Sequence, residues 1–204
     1  MNKIVLNTCE PGCSHMLASN LSTILSPVIE ENKHIVFLCI GTDRATGDCL
    51  GPLVGEKLKY RSKSNFSIVG NLSSPVHALN LSDVIKFINT TFSNPYIVAI
   101  DSALGSAENI GKIFIEEKSL TPGAALSKSL PAVGDLSITG IVNIYGAMEF
   151  MTLQSTRLYT VMTLADKISL GISTCIQKLS HSNTFNFMTN FSKPSLLSSE
   201  DERA

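Results

Sequence analysis

Two short apolar runs, at residues 35–40 and 96–100, constrain the fold of this chain more than any other feature of its sequence. Neither run alternates with polar positions; Gly41 follows the first and Asp101 follows the second. A strand that is buried on both faces has this pattern, and such strands belong to parallel sheets that helices cover on both sides. The sequence therefore predicts two central strands of a parallel sheet.

The residues between these runs change from helical to extended patterns and back. Apolar residues recur at helical spacing in 51–60 and in 79–92, and the short extended segment 66–69 lies between them. The order strand, helix, strand, helix, strand is that of βαβ units. We therefore predict an α/β domain with a mostly parallel central sheet and helices on both faces.

The second half of the chain has weaker patterns. Residues 111–117 alternate apolar and charged side chains, which indicates a half-exposed strand near an edge of the sheet. A loop rich in Gly, Pro and Ser at 119–135 leads into 136–143, which reads as a weak strand or the start of a helix. Residues 145–179 have the apolar period of one long helix, or of two helices broken near Ser155.

The periodic segments define one domain at residues 34–180, and a length of 204 residues fits a single domain. Residues 1–33 are expected to form an N-terminal arm or a peripheral helix. Residues 181–204 lose the apolar period and are expected to form a mobile C-terminal tail.

Composition and charge exclude several classes of partner. Hydrophobic residues make up 44% of the chain and charged residues 16%, which leaves a large core and a sparsely charged surface. The formal net charge of −1 provides no field to hold nucleic acid or an acidic membrane surface. No apolar run approaches the roughly 20 residues of a membrane-spanning helix. We therefore expect neither a nucleic-acid partner nor a membrane partner.

The N-terminus and the cysteines bear on the cellular compartment. The first residues lack the apolar core of a signal peptide. The five cysteines are odd in number and dispersed, which favours free thiols in a reducing compartment over a disulfide framework. We therefore expect a cytoplasmic protein.

Acidic side chains follow both central strands, where a parallel α/β sheet places its ligand site. The loop 41–52 carries Asp43 and Asp48, and Asp101 directly follows the second apolar run. This loop lacks the Gly-Lys-Ser/Thr and Gly-x-Gly-x-x-Gly patterns of phosphate-binding loops. A carboxylate site is therefore a better interpretation than a nucleotide site.

Asp48 and Asp101 are the candidate catalytic residues. An isolated aspartate is commonly a turn or helix-capping residue, and for Asp48 taken alone that interpretation is the better one. If adjacent strands bring the two carboxylates together, their like charges and partial burial favour a shared proton or a bound cation. Such a pair can activate water for attack on an amide carbonyl, with one carboxylate as base and the other as acid.

Four further residues are supporting candidates. Asp43 lies on the same loop as Asp48, and Asp135 and Thr139 follow the Pro/Gly-rich loop. His77 is placed to carry a proton or bind a metal. Asp135 is equally well explained as a strand or helix cap, and a structural role is the first interpretation for His77.

Three motifs carry a resemblance to a known family. In order along the chain, residues 39–52 read CIGTDRATGDCLGP, 99–105 read AIDSALG and 133–143 read VGDLSITGIVN. With these motifs the chain resembles the YyaC-type sporulation proteins of spore-forming Firmicutes. It is more distantly similar to germination protease and to the hydrogenase maturation endopeptidases. This resemblance implies a three-layer α/β/α fold over about residues 34–179.

The resemblance also implies roles for the two aspartates. In germination protease, an aspartate in an Asp-x-Leu-Gly-Pro segment and one in a Val-Asp-Ala segment are tied to activity, and Asp48 and Asp101 occupy these places here. Hydrogenase maturation enzymes bind a metal through a glutamate, an aspartate and a later histidine. This chain has Asp48 in place of the glutamate and no histidine from residue 105 to 178. The sequence therefore requires no cofactor, and a divalent metal, if one binds, would be held by Asp48 and Asp101.

The expected function is hydrolysis of peptide bonds in a protein or peptide substrate, such as a spore protein, in the cytoplasm of a sporulating cell or spore. The alternative is a non-catalytic sporulation protein that keeps the fold and binds a peptide or protein in the same cleft. The sequence predicts no oligomeric state.

Overall fold

The two apolar runs form β2 (Ile35–Cys39) and β4 (Tyr96–Gly105), which are neighbours in the middle of a six-stranded sheet. All five residues of β2 are buried. The fold comes from a computed structural model that describes residues 3–122, 132–146 and 148–191, with 182–191 as backbone. Alternate residues of each central strand face opposite sides of the sheet, and both sides are covered.

The sheet is mostly parallel, as the βαβ pattern predicts. Its strand order is β1-β5-β6-β4-β2-β3. The pairs β6/β4, β4/β2 and β2/β3 are parallel, whereas β1/β5 and β5/β6 are antiparallel. The remaining strands are β1 (Lys3–Asn7), β3 (Phe66–Val69), β5 (Lys112–Glu116) and β6 (Leu136–Ile144).

Helices lie on both faces of the sheet and make a three-layer α/β fold. One face is covered by α1, α2 and α5, which pack against Ile35, Phe37 and other buried residues of the larger core. The opposite face packs against α3 in a smaller core. The helices are α1 (Cys13–Glu30), α2 (Leu50–Leu58), α3 (Leu81–Thr91), α4 (Glu149–Gln154) and α5 (Leu158–Phe191).

The N-terminal segment is an integral part of the fold, which corrects the expectation of an arm or peripheral helix at residues 1–33. β1 pairs with β5 along its whole length. In α1, Leu17, Leu21 and Leu25 are fully buried, and this helix packs extensively against α5. These leucines recur every four residues, so they form one apolar stripe that is covered only when α5 is in place.

The C-terminal boundary also differs from the prediction. α5 continues to Phe191, beyond the expected domain end at residue 180. The rest of the predicted tail lies outside the described residues. Of the two alternatives for residues 145–179, the structure has the two helices broken near Ser155, because α4 ends at Gln154 and α5 begins at Leu158.

β5 is the half-exposed strand near a sheet edge that its alternating pattern predicts, because Ile113 and Ile115 are buried and the other residues of the strand are partly exposed. It is second from the edge of the sheet, since β1 pairs with its outer side. The segment 136–143 is a strand, and Leu136–Val142 of β6 are all buried.

All five cysteines are free thiols. No helix in the described part of the chain is both long enough and apolar enough to cross a membrane.

α2 approaches the sheet so closely that two of its residues must be glycine. A Cβ at Gly51 would overlap the Ile40 carbonyl oxygen, and a Cβ at Gly55 would overlap the Gly70 carbonyl oxygen. This contact holds the start of α2, and with it the preceding loop, against the carboxyl ends of β2 and β3.

We expect Gly55→Ala to lower the free energy of unfolding by about 2–3 kcal/mol, because the backbone it meets cannot move aside as a flexible side chain would. For a chain of this size the melting temperature falls by about 5–10 °C. Gly146→Ala is the matched control, since a Cβ there meets nothing within 4 Å. Circular dichroism melts of both variants make the comparison. Equal melting temperatures for the two variants would contradict the packing argument.

Candidate active site

A short hydrogen-bonded loop after β2 places Asp48 at the end of the sheet. The Thr42 N–H donates to the Asp48 carbonyl at 3.0 Å, and the Asp48 N–H donates to the Ala45 carbonyl at 3.0 Å. Gly41 has a φ of 136°, and a Cβ there would overlap the Asp48 carbonyl. The loop can therefore form these hydrogen bonds only with glycine at position 41. Its one-turn 3-10 helix, Thr46–Asp48, contacts β4.

Asp101 lies on β4 just beyond the last residue that pairs with β2. The register joins Cys39 to Ile100, so the carboxylate emerges where β2 has ended. Asp101 is only 6% exposed. Its Oδ1 accepts a hydrogen bond of 2.8 Å from the Ser102 backbone N–H, which holds the carboxylate against the edge of the strand.

The structure brings Asp48 and Asp101 to the same two cavities. Burial raises the pKa of Asp48 to about 6, although a hydrogen bond from the Thr42 backbone N–H acts in the opposite direction. Burial raises the pKa of Asp101 well above its ordinary value, and the nearby Asp48 charge raises it further. The pair therefore tends to hold one proton near neutral pH, with Asp101 as the more basic member.

Two pockets of about 180 Å³ each lie on either side of this pair. We call them the His77 pocket and the Leu104 pocket, and both aspartates contribute to both. The His77 pocket is completed chiefly by Ile40, Thr42, Arg44, His77, Leu79 and Pro122. The Leu104 pocket is completed chiefly by Ser102, Leu104, Leu120, Tyr145, Glu149 and Leu153.

The His77 ring has a defined orientation in its pocket. Its Nδ1 accepts a hydrogen bond of 3.3 Å from the Leu79 backbone N–H, so in the neutral ring the proton is on Nε2. The His77 backbone N–H donates to Asn80 Oδ1 at 2.8 Å. The loop after β3 thus holds His77 in the wall of the cavity that both carboxylates line.

The other supporting candidates lie in different places. Thr139 is buried on β6 and is the register partner of Asp101. Asp43 is exposed and lines neither pocket. Asp135 precedes β6 and accepts a hydrogen bond of 2.8 Å from the Ile97 N–H, toward the amino-terminal end of β4. The prediction that Asp135 lies beside the catalytic pair is therefore wrong. Asp135 lies at the edge of the sheet where β4 and β6 begin, whereas the pair lies at the opposite edge, where the parallel strands end.

Three pocket residues with ionisable side chains were not among the predicted site residues. Arg44 lies in the loop 41–52, and its position next to the candidate Asp43 was the sequence feature that could have indicated it as a site residue. Tyr145 and Glu149 lie before and within α4, and no sequence pattern connects this segment to the first central strand. Leu153 of α4 packs on Gly47, and this contact brings the helix to the pair.

The site offers few other groups for catalysis or metal binding. Burial raises the pKa of Cys49 to about 11, and the charges of Asp48 and Asp43 act in the same direction, so this thiol is protonated at neutral pH. Across residues 3–122, 132–146 and 148–191, no three His, Cys, Asp or Glu side chains form a cluster that could hold a metal ion. The donors at the pair are two carboxylates, which do not fit the three-ligand set of the hydrogenase maturation enzymes.

Comparison with known proteins identifies relatives and the fold. Residues 7–171 match a family described as "Protein of unknown function (DUF1256)". The chain is 48% identical over 158 residues to the uncharacterized protein YyaC of Bacillus subtilis (strain 168), which covers 76% of this chain and 77% of YyaC. The crystal structure of the NiFe hydrogenase maturation protease HycI from Thermococcus kodakarensis KOD1 is similar with a TM-score of 0.51 and 20% identity. That match covers 76% of this chain and 99% of HycI. The likeness to HycI confirms the three-layer fold with its mostly parallel sheet.

We expect Asp48→Asn to stabilise the protein above pH 6 and to leave its stability unchanged below about pH 4. A carboxyl whose folded pKa is raised loses stability as pH rises from its unfolded to its folded pKa, here from 3.8 to about 6. Removing that charge restores about 3 kcal/mol, or about 6–12 °C in melting temperature, because each unit of pKa difference corresponds to about 1.4 kcal/mol. Thermal melts from pH 4 to 8 measure the difference. Asp43→Asn is the exposed control, and a stability gain for Asp48→Asn that does not change with pH would contradict the argument.

Proposed function

This chain belongs to the protein family of unknown function DUF1256, and we propose that it hydrolyses peptide bonds of a protein substrate with Asp48 and Asp101 as its catalytic residues. The observation that carries this proposal is the placement of two neighbouring carboxylates, Asp101 buried and Asp48 half-buried, between two pockets, with the pKa of both raised. The resemblance of the fold to a maturation protease is consistent with it. A perturbed acid pair in a cleft is the arrangement that acid–base hydrolysis requires.

In the proposed mechanism Asp48 is the base and Asp101 is the acid. With a pKa of about 6, Asp48 is ionised at neutral pH and takes a proton from water as the water oxygen bonds to the carbonyl carbon. Asp101 gives its proton to the amide nitrogen as the carbon–nitrogen bond breaks. Transfer of the proton from Asp48 to Asp101 then restores the starting state.

His77 is proposed to stabilise the oxyanion that forms during the attack. Its Nδ1 is occupied by the Leu79 N–H, so the Nε2–H is left to donate toward the cavity shared with the aspartates. A fixed N–H donor is the group that stabilises developing negative charge on a carbonyl oxygen. The steps of this mechanism need no metal, because the two carboxylates supply both the base and the acid.

The proposed cellular setting is the cytoplasm of a sporulating cell or spore, with spore proteins as substrates. This part of the proposal is supported by the resemblance of the three motifs at 39–52, 99–105 and 133–143 to YyaC-type sporulation proteins. The expectations of no nucleic-acid partner and no membrane partner stay predictions that follow from the near-zero net charge and the short apolar runs.

We expect Asp48→Asn and Asp101→Asn each to lower the rate of peptide cleavage by about 10²–10⁴-fold, the usual contribution of a positioned acid or base. Purified protein is incubated with a spore-protein extract, and new termini are detected by mass spectrometry. Asp43→Asn is the matched control because Asp43 lies on the same loop outside both pockets, and it is expected to retain its rate within about twofold.

Two results would overturn the catalytic proposal. Cleavage that persists in both aspartate variants would show that the pair is not the catalytic group. Binding of peptides without cleavage by the wild-type protein would instead establish the alternative, a non-catalytic protein that binds a peptide in this cleft.

The dependence of kcat/KM on pH should be bell-shaped, with an acidic limb near pH 6. The rate rises as the pair loses its first proton, since the base must be ionised, and falls at higher pH as Asp101 loses the proton that it gives to the amine. Initial rates between pH 4.5 and 10 measure both limbs. A rate that rises steadily to pH 10 would show that no retained carboxyl proton is needed.

A further inference from the structure

β4 extends well beyond its neighbour β2, so the end of this central strand has one open edge. The pairing of β2 with β4 ends at Cys39 and Ile100, whereas β4 stays paired with β6 as far as Gly105. Residues 102–105 therefore have a strand on one side only, within the part of the chain that the structure describes. All four are partly exposed although they belong to a central strand.

The hydrogen bonds show which backbone groups face the open edge. On the β2 side, the Ile100 carbonyl accepts from the Ile40 N–H at 2.8 Å, and on the β6 side the Gly105 carbonyl accepts from the Tyr145 N–H at 2.9 Å. Because successive residues of a strand face opposite neighbours, Ser102 and Leu104 face the open edge. The Ser102 N–H is held by Asp101 Oδ1. By this alternation the Ser102 carbonyl and both backbone groups of Leu104 point away from β6, and none of them bonds to the backbone of a turn or loop among the described residues.

This open edge runs along the Leu104 pocket and ends at the aspartate pair. Ser102 and Leu104 line that pocket, and Asp101 is the next residue toward the His77 pocket. A chain that lies along the edge and continues past the pair would therefore bring one of its peptide bonds to the carboxylates. Backbone pairing of this kind requires an extended chain, since a folded segment has already used its N–H and C=O groups.

The side chains around the two pockets indicate what such a chain would carry. Leu79 and Pro122 on one side of the pair, and Leu120 and Leu153 on the other, offer apolar walls for its side chains. Arg44 lies in the His77 pocket and Glu149 in the Leu104 pocket, so the charges at the two ends of the cleft are opposite. This polarity favours an acidic residue toward Arg44 and a basic residue toward Glu149.

We propose that the substrate is an extended, unfolded segment of another protein, which adds as a strand to the open edge of β4 at Ser102 and Leu104 and crosses the aspartate pair between two apolar subsites. The cleavage of that segment rests on the proposed function, whereas its docking does not. Substrate choice then depends on exposure of an extended segment and on side chains near the scissile bond.

The test uses full-length Asp48→Asn protein and a library of fluorescent decapeptides with apolar residues at the four central positions. Half of the library has an acidic first and a basic last residue, and the other half has the reverse order. Fluorescence anisotropy selects the tightest binder, which is then N-methylated at one backbone position at a time. We expect losses of about tenfold or more at alternate positions and changes within about twofold at the positions between them, because alternate N–H groups face β4.

Two measurements on the protein locate the pairing. Amide exchange followed by NMR should slow at Leu104 by about tenfold or more when the selected peptide saturates the protein. Ala103 is the internal control, because it faces β6 and its amide exchange should not change. Leu104→Pro, which removes the N–H on the open edge, should weaken peptide binding by about tenfold or more. Leu104→Ala keeps that N–H and should weaken binding less than Leu104→Pro does.

The outcomes separate docking from catalysis. Failure of every decapeptide to bind, N-methyl effects without alternation, or an unchanged Leu104 exchange rate in the saturated complex would overturn strand addition. Alternating effects with protection of Leu104, but no cleavage of the peptide by the wild-type protein, would support strand addition and overturn the proposed hydrolysis. Cleavage that needs both aspartates but shows no alternation would overturn strand addition alone.

Discussion

The parallel pairing of β2 with β4 is the interaction on which the rest of the structure depends. Its register ends at Cys39 and Ile100, and this one fact places Asp101 at the first position beyond the shorter strand. The loop after β2 must then turn back over the sheet end, and its hydrogen bonds place Asp48 beside Asp101. The site and the open edge of β4 are thus two consequences of one difference in strand length.

Placing one buried and one half-buried carboxylate side by side costs stability that the surrounding core has to offset. Asp101 is nearly as inaccessible as the apolar residues before it, and within the described part of the chain its carboxylate accepts a hydrogen bond only from the next backbone N–H. Charged groups in such surroundings are costly unless they are paired with an opposite charge, and here the neighbour has the same charge. Burial of apolar residues in the two cores on either side of the sheet offsets this electrostatic cost.

Those parts of the fold that depend on local sequence were predictable, and those that depend on distant contacts were not. The central strands and Asp48 and Asp101 follow from apolar runs and from the residues that come after them. The burial of α1 depends on α5, which lies more than a hundred residues away, so its apolar stripe alone could not show that it belongs to the core. Asp135 was misplaced for a local reason, because it precedes its strand and therefore lies at the opposite edge.

A comparison of costs separates the two functions that the cleft could serve. A protein that only holds an extended peptide needs the open edge of β4 and the apolar walls of the pockets, and neutral residues at positions 48 and 101 would serve it better. Two adjacent carboxylates, one buried and one half-buried, destabilise such a protein above the pKa of Asp48 without adding any contact that a hydroxyl or amide side chain could not make. Such a pair suits the proposed reaction, in which one proton is taken from water and another is given to an amine. The electrostatic cost of the pair is therefore an argument for hydrolysis over simple binding.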